Sequence, residues 1–316
     1  MNRTSFFALL LALCIICGCR QGNYVVFTGY AQGGTYAVKA DLTGVDTPEA
    51  IIGETIDSLL TAIDFSLSGY NKNSLLTHYN AGEEIVPDRF FREIRALSDR
   101  YREQTGGAFD VASAPLFDIW GFVFTADSLP DPGRIAAALV ASKEEKVLNF
   151  NAIAQGYTCD VIAGYLHGLG VRNMLVDIGE IYCDGLNPRG KGWTIGVDNP
   201  VDGNETPGQD IRGIWESDGS PCGIVTSGNY RKFYVRDGKK YAHTIDPRTG
   251  YPVTHDLLSA TIVAPTAAEA DALATACMVL GPDGAKALIT SRPEIEGYLI
   301  MGSGTWKSEG FALRAQ

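Results

Sequence analysis

The sequence predicts an α+β fold, a single catalytic-sized domain with a largely antiparallel sheet and packed helices. Three observations predict it. Helical and strand patterns are interleaved without the strict strand–helix–strand alternation of a parallel sheet. Asp237-Gly238 joins two strand patterns, Lys232 to Arg236 and Lys240 to Ile245, with the dipeptide of a tight antiparallel hairpin. No stretch has the composition of a domain linker; Asn199 to Gly219, rich in Gly, Pro, Asp and Asn, reads as a surface loop.

The elements follow in order. Arg3 and the apolar run Phe6 to Ile16 form a secretory signal, too short for a span that needs about 20 residues. The run ends in Ile16-Cys17-Gly18-Cys19, which resembles a bacterial lipobox. Residues 1–18 are therefore expected as a lipoprotein signal peptide, Cys19 as the lipidated residue, 19–32 as a tether and 33–316 as the folded domain. Thr47-Pro48-Glu49 starts a helix, with Ile51, Ile52, Ile56, Leu59, Leu60 and Ile63 at helical spacing. A second helix starts near Asp88, carries Phe91, Ile94, Leu97 and Tyr101 on one face, and ends at Gly106-Gly107. A third is expected from Gln155 to Leu169. Strands are expected at Asn173 to Ile178, Trp193 to Asp198 and Leu257 to Ala264. Thr266 and Glu269 form a capping box for a helix reaching Leu280, and a last strand pair flanks Gly302 to Gly304.

The chain has 316 residues and a formal net charge of -11, which argues against a nucleic-acid partner, since neutralising phosphates needs a basic face. Of its seven cysteines, Cys159, Cys183, Cys222 and Cys277 lie outside the signal. Their wide spacing holds no CxxC pair, which argues against a zinc site; an exported chain could pair them, and isolated cysteines in apolar strands and helices read as buried free thiols.

Several segments could carry chemistry. Asp271 and Thr275 lie four residues apart on one helix, so they share a face. A carboxylate and a hydroxyl are hard oxygen ligands of the kind magnesium takes. The same pair equally fits a solvated Asp and a Thr bonded back to its own helix. In Asn151-Ala152-Ile153-Ala154-Gln155-Gly156-Tyr157 a strand enters a helix, and small residues let a ligand approach N–H groups at a positive dipole end. His243 opens His-Thr-Ile-Asp-Pro-Arg-Thr-Gly and could serve as a general base or as an ordinary strand histidine. Tyr70, in the polar loop Ser68 to Ser74, could stack on a flat ring.

Together and in this order, the segments resemble the ApbE family of FAD:protein FMN transferases. The matching residues are Gly34-Thr35, Tyr70 to Ser74, Gly107-Ala108-Phe109-Asp110 with Pro115-Leu116 and Trp120-Gly121-Phe122, Ala152 to Gly156, and Thr226-Ser227-Gly228 through His243 to Gly250 and Ala270 to Leu273. The resemblance implies a T-fold-like domain that cleaves the pyrophosphate of FAD, joins FMN to a Thr or Ser hydroxyl of a target protein by a phosphoester, and releases AMP. It implies magnesium on the side chains of Asp271 and Thr275 and the backbone oxygens of Ala152 and Ala274. It implies FAD contacts at Gly33, Tyr70, Ala108, Phe109, Asp110, Asn149, Gln155 and Ile245, with His243 as the base and Asp271 as the second catalytic residue. The implied setting is the outer face of a bacterial cell membrane, lipid-anchored towards the periplasm or exterior, and the implied acceptor is a subunit of a membrane redox complex.

The chain departs from the family's usual pattern at three places: Gln155 stands for a lysine, Asn149 for an aspartate, and Gly179-Glu180 for a Gly-Gly pair. Losing both charges at 149 and 155 would keep the local balance. The same metal and phosphate residues would also serve a magnesium-dependent FAD pyrophosphatase releasing FMN and AMP. Flavin binding without turnover would go with a damaged metal site, and Asp271 and Thr275 are both in place.

Overall fold

The computed structural model describes residues 22–121, 129–201, 204, 206, 208–230, 233–236 and 239–314. The expected signal peptide, Cys19, Phe122 and the Asp237-Gly238 turn lie outside the described residues. The expected tether does not extend to residue 32. Tyr24–Ala31 is strand β1, paired along its length with β2 (Gly34–Asp41).

The main sheet has eight strands. After β1 and β2 come β3 (Met174–Asp177), β4 (Ile181–Asp184), β7 (Cys222–Gly228), β10 (Leu257–Ala264), β11 (Glu296–Met301) and β12 (Gly304–Lys307), and this is also their spatial order. Every pairing is antiparallel. A second sheet has the order β13 (Leu313–Arg314), β6 (Ile211–Glu216), β5 (Thr194–Asp198). So the stretch expected to be a loop over Asn199 to Gly219 contains β6; its alternating Ile211, Gly213 and Trp215 were masked by the polar residues before them. The hairpin forms as expected from β8 (Phe233–Arg236) and β9 (Lys239–Ala242), but it ends at Ala242 and leaves His243 beyond the strand.

The helices are α1 (Glu49–Leu67), α2 (Leu75–Asn80), α3 (Arg89–Gln104), α4 (Ala114–Trp120), α5 (Pro132–Lys143), α6 (Ala154–Gly168) and α7 (Ala267–Thr290). Asp88 caps α3 by accepting from the Phe91 N–H at 2.8 Å, and Thr266 caps α7 by accepting from Glu269 N–H at 3.2 Å. α7 runs ten residues past Leu280, through a kink where Gly281 takes φ 73° and Pro282 restarts the helix.

Strand alternation sorts the core. Met174 and Val176 of β3 pack under α1 and α6, while Leu175 points to the other face and meets Trp193, Ile195 and Trp215 of the second sheet. α7 lies under β7, β10 and β11 through Ala270, Leu273, Ala274 and Cys277. Its other side, Ala268, Ala272, Ala276 and Val279, packs into a cluster with Phe91 and Ile94 of α3. A helix covered on both sides must be apolar all round. That explains why α7 is long and apolar enough to cross a membrane yet is a core helix.

The tightest approach in this core is at the start of α7. A Cβ added to Gly156 on α6 would lie 2.3 Å from the Ala267 carbonyl oxygen, and one added to Gly223 on β7 would lie 2.3 Å from the Ala267 Cα. Ala267 is wholly buried between them. Forcing a methyl into such a contact costs about 1–3 kcal/mol. Gly156→Ala and Gly223→Ala are each expected to lower stability by roughly that amount in urea unfolding. An unchanged unfolding midpoint in both would show that Ala267 is not clamped as described.

Candidate active site

The N-termini of α6 and α7 exchange aspartates. Asp160 of α6 accepts from the N–H groups of Ala267 and Ala268 at 2.8 and 2.9 Å, satisfying the open first turn of α7. Asp271 of α7 accepts from the Gly156 N–H of α6 through Oδ2 at 3.1 Å. α6 itself has no side-chain cap at Ile153. The exchange places Asp271 at the start of α6, on the N–H of Gly156, the residue after Gln155.

Asp271 is buried, with 5% of its surface exposed. Burial pushes its carboxyl up to about 7; the Gly156 N–H opposes the rise and the charge of Asp160 adds to it. Burial likewise raises Asp160 to about 7, against the pull of the two N–H groups it accepts. Among the described residues no lysine, arginine or histidine charge acts on either carboxyl. A buried carboxylate with a second carboxylate beside it and no cationic side chain is a place where a divalent ion would restore the balance.

Thr275 lies half-buried one turn further along α7. Among the described residues its hydroxyl makes no bond back to the helix, whereas Thr158 and Thr290 each bond the carbonyl four residues earlier at 2.7 Å. A hydroxyl left available beside a buried carboxylate fits a hard-cation site completed by backbone oxygens. The donor set is sparse: among the described residues no three His, Cys, Asp or Glu side chains converge. That suits magnesium, which is held by few carboxylates together with waters and substrate phosphates.

A cleft of about 880 Å³ opens beside this end of α6. Its walls are the β1–β2 turn with Tyr30, Gln32 and Gly33, the inner side of α1, Tyr70, and Asn151, Ala154 and Gln155. The turn is pinned by Gln32, which adopts φ 52° and donates to the Thr158 hydroxyl at 2.6 Å. Tyr70 is 80% exposed, with its hydroxyl accepting from Asn151 Nδ2 at 3.3 Å. Gln155 donates to the Ile178 carbonyl at 3.1 Å, and Gly179, at φ 97°, leaves room for it where a Cβ would lie 2.7 Å from its amide nitrogen.

The remaining expected residues divide. Asn149 is tied to the Asp110 segment, donating its N–H to the Val111 carbonyl at 2.8 Å and accepting from Asn151 N–H through its side chain at 2.9 Å. Asp110 is held by Arg102 Nε at 3.1 Å and accepts from Ala112 N–H at 2.9 Å. Burial pushes its carboxyl up, against the pull of that N–H and of Arg102. Ala108 and Phe109 are each 1% exposed, with the Phe109 ring edge-on to Tyr101, so they have backbone rather than side chain to offer a ligand. Ile245 is also core, packed with Leu116, Trp120 and Ile135. His243 sits half-exposed in the bend after β9, in the loop that Trp120 anchors by donating to the Gly250 carbonyl at 2.8 Å.

Asp160, Arg102, Tyr30 and Gln32 were missed by sequence reasoning. Asp160 could have been found as a carboxylate on an apolar helix, one residue after the buried Cys159. Tyr30 and Gln32 carried no signal of their own.

The fold and site define an α+β protein in which the starts of two helices, linked by Asp160 and Asp271, meet beside a cleft. The comparisons make this particular. Residues 33–299 match the model of the ApbE family. The chain is 30% identical to an FAD:protein FMN transferase of Escherichia coli strain K12, over 96% of this chain and 95% of that protein. It superposes on the apo flavinyl transferase ApbE of Pseudomonas stutzeri with TM-score 0.78 and 31% identity, covering 92% of this chain and 95% of that one. For the flavin transferase ApbE of Vibrio cholerae the TM-score is 0.77 at 28% identity, covering 92% and 98%. The chain belongs to the ApbE family.

The paired carboxyls set a pH dependence. Both folded-state values, about 7, lie above the ordinary 3.8, so the folded state holds these protons more tightly than the unfolded one. Their contribution to stability is therefore most favourable below about 3.8, declines as pH rises to about 7 and is flat above. Asp271→Asn should reduce this slope in metal-free protein, leaving the share due to Asp160, and, at pH 8, remove any shift of the urea midpoint by magnesium. A magnesium shift that survives in Asp271→Asn would contradict the placement of the cation.

Proposed function

We propose that this chain transfers FMN from FAD to a serine or threonine hydroxyl of another protein, with magnesium at Asp271 and Thr275 and with AMP as the leaving product. The observation that carries the reading is the buried Asp271, with no cationic partner among the described residues, accepting from the first-turn Gly156 N–H of α6 beside the cleft. The names of the relatives support the flavin chemistry.

In this reading the cleft takes FAD with its pyrophosphate at the start of α6. The backbone oxygens of Ala152 and Ala274 would hold the cation together with the side chains of Asp271 and Thr275. Magnesium bound there supplies neutralisation of the charge that builds on the pyrophosphate. The chain's own residues do the rest. The first-turn N–H groups of α6 favour an anion. Tyr70, on the cleft rim, offers its ring face to a flat heterocycle. His243 takes the proton of the acceptor hydroxyl as its oxygen bonds to the FMN phosphorus; the bond from that phosphorus to the AMP oxygen breaks, and AMP leaves. A positioned base contributes about 10²–10⁴-fold and positioning of the two substrates more. Gln155 puts a neutral amide on the cleft wall.

The N-terminal sequence supports export and attachment by lipid on Cys19, with the domain on the outer face of a bacterial membrane and acceptors reached there.

The test is intact-mass spectrometry of an acceptor domain incubated with the chain, FAD and magnesium. The expected result is a gain of one FMN less water, equimolar AMP, and loss of both in EDTA. Asp271→Ala should abolish the gain, and His243→Ala should slow it by about 10²-fold or more with FAD affinity little changed. Release of FMN and AMP without acceptor modification, across all acceptors with accessible Ser or Thr, would replace transfer with hydrolysis.

A further inference from the structure

The eight-stranded sheet has its shortest pairing, a seam of three residue pairs, between β4 and β7. β7 pairs with β10 over six residue pairs and β1 with β2 over eight, but β4 meets β7 over three: Ile181 with Ile224, Tyr182 with Gly223, Cys183 with Cys222. α6 packs on the strands to one side of it and α7 on those to the other. The exchange of Asp160 and Asp271 therefore spans the seam, and Gly223, which seats Ala267, lies in it.

Cys183 and Cys222 end this pairing directly opposite one another, with their sulfurs 3.7 Å apart. Directly opposed Cβ atoms on one face of an antiparallel pair lie about 4.5–5.5 Å apart, against about 3.5–4.5 Å in a disulfide. A small side-chain rotation and approach closes the gap. Both side chains face the second sheet, away from the helices. Cys159 and Cys277 are buried in the clusters on the helix face, so neither competes. Cys183 is fully buried and Cys222 half-buried, so one partner is reachable from solution and the other only through it.

We propose that Cys183 and Cys222 are a disulfide-forming pair that locks the seam of the sheet beneath the site when the folded chain meets an oxidised thiol compound. The oxidant is a small or protein disulfide, R–S–S–R. The Cys222 thiolate attacks one of its sulfurs, forms a mixed disulfide and releases the first RS⁻. Cys183 then gives up its proton and attacks the Cys222 sulfur, and the second RS⁻ leaves. The two protons lost by the cysteines end on the two RS⁻ groups, and the two electrons pass to the external disulfide, which is reduced to two thiols. Contact with the Cys222 sulfur, and then burial, push the Cys183 thiol up, which makes Cys222 the opening nucleophile. The bridge joins residues 39 apart in sequence, and it acts by restricting the unfolded chain and by tying β4 to β7 in the folded one. The proposal stands independently of the flavin reading, and it suits a chain that works where disulfides persist.

The test compares the native full-length chain incubated with oxidised glutathione against the same chain in dithiothreitol. Each is then unfolded, alkylated and peptide-mapped, and its guanidinium unfolding is recorded. The expected result is a linked Cys183–Cys222 peptide, two hydrogens lighter, with Cys159 and Cys277 alkylated. The unfolding midpoint should be higher than in the reduced chain, and dithiothreitol should reverse the rise. Cys222→Ser and Cys183→Ala should each remove the linked peptide; the wild-type comparison stands without them. Recovery of Cys183 and Cys222 as alkylated thiols or as separate glutathione adducts would overturn the proposal. So would a linked pair that leaves the midpoint where it is in the reduced protein.

Discussion

The site depends on where Ala267 is allowed to sit. Gly156 on α6 and Gly223 on β7 each leave out a side chain that would collide with its backbone, and Asp160 receives its N–H. With the start of α7 fixed in this way, helical geometry decides the rest. Asp271 falls one turn along and meets the Gly156 N–H, and Thr275 falls one turn further. Two helices whose ends each take an aspartate from the other must keep both position and rotation. The cost is two buried carboxyls with no positive side chain acting on them among the described residues, a balance that a divalent ion would restore.

Burial therefore serves two purposes in one structure. In the layer of helices under the sheet, α7 packs into apolar clusters on two of its faces. The same layer removes Asp271 from water, so that a cation and a pyrophosphate bound there would interact in a low dielectric. The cleft beside it is formed by unrelated parts of the chain: the β1–β2 turn, α1, the Tyr70 loop and the start of α6. The loop carrying His243 is braced by a separate small core around Trp120 and Ile135. The cleft and the loop carrying His243 thus stand on different supports.

Much of this was legible in the sequence where local chemistry dictates local structure. The caps at Asp88 and Thr266, the hairpin dipeptide and the strand over Leu257 to Ala264 each follow from a few adjacent residues. Asp271 and Thr275 were legible as a pair because helical spacing is fixed. β6 was not legible, because its alternating apolar residues follow a polar stretch whose composition reads as loop. The roles of Phe109 and Ile245 as core residues were hidden as well, since an apolar side chain in a motif can face a ligand or the interior. Asp160 was invisible for a different reason: its partners Ala267 and Ala268 are more than 100 residues away, and only the packing of α6 on α7 brings them to it.

The most direct test of this account is diffraction from crystals soaked with FAD and manganese, collected for the anomalous signal of the metal. The account predicts a single strong peak bonded to the Asp271 carboxylate and the Thr275 hydroxyl, with the pyrophosphate of FAD bridging it to the start of α6. A metal peak away from Asp271, or FAD bound outside the cleft between the β1–β2 turn and α6, would contradict it.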